Sequence, residues 1–147
     1  LAAQIALVKA LRVSDAAREF FASQVITVDL QPGTRTRAGP RGVFFARETQ
    51  PAENPVLLHE LIHRWQLLRM PGGQQNSDVQ RFYREAKASG LWPAGAYMLT
   101  NPFEFFAMTA SVVLHGSAAR PPFRRKNVKA KAPELHAFIV KEFGLRE

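Results

Sequence analysis

The chain has 147 residues, 46% of them hydrophobic, which is enough for one domain with a sizeable core. It contains no cysteine, so disulfide bridges, cysteine-ligated zinc, iron–sulfur clusters and thiol catalysis are excluded. Lys plus Arg number 20 against 12 Asp plus Glu, a net charge of +8, and no apolar run approaches the ~18–20 residues needed to cross a bilayer.

Helical spacing of Ile5, Val8 and Leu11 predicts a first helix over Ala2–Leu11. Ser14 or Asp15 then caps a second, Ala16–Gln24, with Ala17, Phe20 and Phe21 on one side. Val25–Leu30 is rich in β-branched residues and reads as a strand closed by Gln31-Pro32-Gly33. Thr34–Arg41 reads as a loop or hairpin connection, Gly42–Arg47 as a second short strand and Glu48–Glu53 as a loop. Asn54 as N-cap and Pro55 at the first helical position open a helix that runs to about Met70, where Pro71-Gly72-Gly73 stops it. Ser77 caps a helix over Asp78–Ser89, ended by Gly90. Asn101-Pro102 repeats the Asn-Pro start, and that helix reaches His115 before Gly116. Ser117–Ala132 is basic, contains proline and reads as irregular. Pro133–Phe143 is a terminal amphipathic helix with Leu135, Phe138, Ile139 and Phe143 inward. The expected fold is α+β and mostly helical, a single domain over residues 1–147 with a short sheet beside the helix at Pro55.

That helix carries His59-Glu60-Leu61-Ile62-His63. Residues four apart lie one turn apart on one helix face, so both imidazoles can reach one ion. Zinc accepts neutral imidazole nitrogens and leaves a position open for water. Glu60, beside the first histidine, is placed to take a proton from that water.

A catalytic zinc needs a third protein ligand. The residues after His63 lack the x-x-G-x-x-H continuation, so a third histidine on the same segment is excluded. Glu104, in the first turn of the helix at Asn101-Pro102, is the candidate: a carboxylate among Phe103, Phe105, Phe106 and Met108 is costly to bury without a partner. Asn101 and Glu104 also have capping-box spacing, a competing role for the same carboxylate. His115 and His136 are rival ligands, but His115 lies about 16 Å along the helix from Glu104, so the two cannot share an ion.

The first motif, followed by Tyr97-Met98-Leu99-Thr100-Asn101-Pro102-Phe103-Glu104-Phe105-Phe106-Ala107, resembles the gluzincin metallopeptidases of the anthrax lethal factor catalytic-domain type. The likeness covers about the stretch from Val56 to Ala107. It implies a small zincin-like domain with His59, His63 and Glu104 on Zn²⁺, Glu60 as general base and Tyr97 stabilising the oxyanion. The acidic residue that orients the first histidine in thermolysin-like relatives has no match, because Ala107 and Met108 stand there. The resemblance also implies a substrate peptide adding to an exposed edge at Val43–Ala46. The expected function is zinc-dependent endopeptidase activity on a peptide or protein substrate, and the resemblance together with the missing initiator Met favours a secreted or periplasmic location.

Two basic clusters support an alternative: Arg35, Arg37, Arg41 and Arg47, and Arg120, Arg124, Arg125, Lys126, Lys129 and Lys131. A degenerate zincin fold could use them to contact an anionic surface, nucleic acid or an acidic substrate. The clusters lack interleaved aromatics and match no nucleic-acid-binding module, which argues against nucleic acid.

Overall fold

The computed structural model describes residues 1–147. Its elements, in chain order, are α1 (Ala2–Lys9), α2 (Asp15–Ser23), β1 (Ile26–Asp29), β2 (Arg37–Gly39), β3 (Gly42–Ala46), α3 (Val56–Arg69), α4 (Ser77–Ser89), α5 (Pro102–His115), α6 (Arg125–Lys131) and α7 (Pro133–Phe143). The mostly helical α+β architecture matches the expectation from sequence.

The centre of the molecule is α5. Ten consecutive residues, Phe105–Leu114, are buried, because almost every side chain of this helix is apolar and none of its faces can be given to water. Its two interior hydroxyls bond back to the helix itself, Thr109 to the Phe105 carbonyl at 2.8 Å and Ser111 to the Met108 carbonyl at 3.1 Å. α3, α4, α6 and α7 pack around it. Thirty-two buried residues, drawn from the segment before α2 through the tail after α7, join in one continuous core.

The sheet has the order β1-β3-β2, with β1 parallel and β2 antiparallel to β3. Gly39 pairs with Gly42, so Pro40-Arg41 forms a two-residue hairpin turn. Gly42 has φ of 135°, and a Cβ there would meet the Val25 carbonyl oxygen at 2.3 Å; only glycine fits this approach of the hairpin to β1. This arrangement corrects two sequence expectations. Part of the Thr34–Arg41 connection is a strand, and Val43–Ala46 is the central strand rather than an exposed edge. Its backbone groups are used on both sides, so no peptide can add to β3.

Three local expectations differ from the structure. α3 starts at Val56 and its N-cap residue is Pro55, not Asn54. The Asn54 side chain instead accepts from the Ala119 amide at 3.2 Å and donates to Gln50. The free amide of Leu57 is met by Gln4 Oε1 of α1 at 3.2 Å, while Gln4 Nε2 donates to the Asn54 carbonyl at 2.9 Å. Asn76 rather than Ser77 caps α4, accepting from the Val79 amide at 3.1 Å. The stretch Ser117–Ala132, expected to be irregular, contains α6, anchored by buried Val128.

Candidate metal centre

α3 buries Leu57, Leu58, Leu61 and Ile62 against the core, which leaves His59, Glu60 and His63 together on the remaining face. The donor atoms of these three residues lie within 4.8 Å of one another. α5 brings the fourth group. Asn101 caps it, its Oδ1 accepting from the Glu104 amide at 2.8 Å, so Glu104 sits in the first turn at the positive end of the helix dipole. The reciprocal half of a capping box is missing: the Glu104 carboxylate turns away from the Asn101 amide and towards the histidines. Its Oε1 stands 3.6 Å from His59 Nε2 and 2.5 Å from His63 Nε2. Two helices far apart in sequence thus bring together two imidazoles and one carboxylate.

The charge states follow from burial. Burial pushes His63 below its ordinary value, against the Glu104 carboxylate, so it is neutral near pH 7. Burial pushes Glu104 up, but hydrogen bonds from His59 and His63 outweigh it and hold the carboxyl at about 2. Burial, then the charges of Glu104 and Glu48, raise Glu60 to about 8. Glu60 Oε2 is buried with no hydrogen-bond partner, a costly state for a carboxylate that serves packing alone.

Two imidazoles and a carboxylate are a donor set for a divalent first-row metal, and zinc is among those it suits. Donors sharing one zinc stand about 3.3 Å apart. The His59–Glu104 pair at 3.6 Å is close to that spacing, and the His63–Glu104 pair at 2.5 Å must open slightly. The outer layer is thin. His63 Nδ1 is buried without a partner. The His63 ring is fixed instead by Phe103, stacked on it at 3.9 Å and 24°. The sequence reading treated Phe103 only as an apolar neighbour of Glu104. Its position directly before the candidate ligand was the available signal.

Tyr97 lies in a short 3-10 turn, Tyr97–Leu99, with its ring 6.1 Å from that of His59. The Arg120 guanidinium lies over the ring at 5.0 Å. His59, Glu60 and Tyr97 all open onto one cleft of about 470 Å³, whose other walls come from residues 33–36, the exit of β3 and the connection after α5. His115 and His136 lie elsewhere: His115 at the far end of α5, and His136 on α7, 3.0 Å from Glu147.

The basic clusters do not form two faces. Arg37 pairs with Asp29 at 2.9 Å, Arg125 donates to the Val113 and Leu114 carbonyls at the end of α5, and Lys131 donates to the Leu91 carbonyl. Arg35, Arg47 and Arg120, from both clusters, line the cleft. Sequence reasoning grouped these residues by proximity along the chain and so missed that three of them meet beside the metal-ligand candidates.

No protein-family model, curated protein or solved structure matches this chain.

Proposed function

We propose that the protein is a zinc-dependent peptidase, with His59, His63 and Glu104 holding the ion. The observation that carries this reading is the convergence of the Glu104 carboxylate, from a separate helix, on both imidazoles of a His-Glu-x-x-His helix, with Glu60 beside them in an open cleft. Zinc bound there would supply Lewis acidity, lowering the pKa of water and polarising a peptide carbonyl.

The chain's own residues do the rest. Glu60 takes the proton of the attacking water and passes it to the leaving amine as the C–N bond breaks. A dication held by the neighbouring histidines would draw Glu60 down from about 8 towards the ionised form that a base needs. Tyr97 donates a hydrogen bond to the developing oxyanion, and the guanidinium of Arg120 over its ring holds the phenol towards His59. Phe103 fixes the His63 ring plane by stacking. The cleft, with Met108 at its base, holds the peptide and limits water around it.

The test combines metal analysis with cleavage. The purified chain should retain about one zinc per molecule and cleave a mixed peptide library. A chelator should stop cleavage and added zinc restore it. Glu60→Gln should keep the metal while cleavage falls about a thousandfold. Undiminished cleavage by that variant removes Glu60 from the mechanism. Failure of the wild-type chain to take up zinc removes the metal centre itself.

A further inference from the structure

We infer that the cleft selects substrate segments bearing carboxylates, read by Arg35, Arg47 and Arg120. The inference rests on the peptidase reading, since it assigns that selectivity to the same cleft. Three arginines line the cleft from three places: Arg35 in the connection between β1 and β2, Arg47 at the exit of β3, and Arg120 in the connection between α5 and α6. All three residues are exposed and none takes part in an ion pair.

Other arginines of the same two clusters behave differently. Arg37 is neutralised by Asp29, and Arg125 is spent on backbone carbonyls of α5. Arg64, on the neighbouring helix, bonds the Gly39 and Pro40 carbonyls. The three arginines on the cleft have no carboxylate or carbonyl partner in the protein, Arg120 having only the face of Tyr97.

The acidic groups on the cleft cannot balance them. Glu48 accepts from the Thr36 amide at 2.7 Å and from the Gln50 side chain. Glu60 is buried and faces the histidines rather than the rim. A neutral segment seated here could offer these arginines only carbonyl acceptors and a basic one would repel them, whereas carboxylates would replace their water with stronger, charge-assisted hydrogen bonds. Arg120 lies over Tyr97, whose ring is 6.1 Å from that of His59, and would read a position close to the scissile bond. The +8 net charge of the chain draws acidic segments in from solution. The carboxylates can come from Asp and Glu side chains or from the free end of a peptide.

Binding is the readout, kept apart from cleavage by using the full chain carrying Glu60→Gln. Fluorescent dodecapeptides are titrated by anisotropy: one with three central glutamates, one with three glutamines in their place, both amidated at the C-terminus, and the glutamine peptide with a free C-terminus. The glutamate peptide should bind about tenfold tighter than the amidated glutamine peptide, with a gap that narrows as salt rises. Arg47→Gln and Arg120→Gln should each reduce that preference several-fold. If the free-acid glutamine peptide shows the larger gain, the carboxylate being read is the chain terminus. Equal affinity for all three peptides, or binding of none, overturns the inference. So does tighter binding of a thymidine dodecanucleotide, which would assign the arginines to phosphate. Glutamate preference in a wild-type chain that cleaves nothing keeps the inference and removes the peptidase; zinc-dependent cleavage without preference does the reverse.

Discussion

The two walls of the cleft are built differently. One wall is α3 and α5, whose reverse faces hold Leu58, Ile62, Phe106 and Ala107 at zero exposure. The other is connection: residues 33–36, Arg47 at the end of β3 and the turn carrying Arg120, largely exposed and outside the core. Apart from Tyr97, in the turn ahead of α5, the groups assigned to chemistry stand on α3 and α5, and the groups assigned to selection stand on the second wall. Donor atoms must be held within fractions of an ångström, which packed helices provide, whereas segments outside the core can change residue without unfolding the molecule.

That contrast can be broken experimentally. The largest expected effect on stability is in the helical wall. Ile62→Ala, at a position with zero exposure between Leu61 and His63, should cost about 3 kcal/mol in urea unfolding and weaken zinc binding with it. A cost below about 1 kcal/mol would mean that the helix does not depend on the core as described.

A smaller effect is tied to pH. Glu60 holds its proton more tightly when folded, at about 8 against an ordinary 4.5. The stabilisation from that proton is complete below the unfolded value and is lost as pH rises through about 8. The melting temperature of the zinc-free chain should therefore fall between pH about 5 and about 9, and Glu60→Gln should remove that fall and melt above wild type at the alkaline end. His63 acts on the other flank: its lowered value makes stability fall as pH drops through its ordinary 6.5, because the unfolded chain takes the proton first. A flat alkaline limb in the wild type would show that Glu60 is solvated rather than buried.

The smallest effect belongs to the second wall. Arg35→Gln, exposed just ahead of the hairpin, should change stability by no more than about 0.5 kcal/mol and leave zinc content unchanged. A larger loss would place this segment in the folding core and erase the contrast.

Much of the helical wall was legible from local pattern. The apolar positions around His59 and His63 have helical period, and Asn101-Pro102 starts α5 where a cap and proline should. The carboxylate of Glu104 stood out because nothing apolar around it could satisfy it. The second wall was not legible, because its order depends on contacts between distant residues. A strand's position in a sheet is not written in its own five residues, so β3 read as an edge although it is the centre. Asn54 has the chemistry of a cap, but Ala119, 65 residues away, takes its oxygen. The arginines read as two runs of charge because only the fold separates those with partners from those without.

The amide that Gln4 satisfies in the first turn of α3 ties α1 to the metal-ligand helix across 53 residues. Trimming the polypeptide ahead of Ile5 would remove no donor and no wall of the cleft, yet would leave the start of the ligand-bearing helix to fray two residues before His59. One amide side chain on α1 thus steadies, from a distance, the turn that presents both histidines.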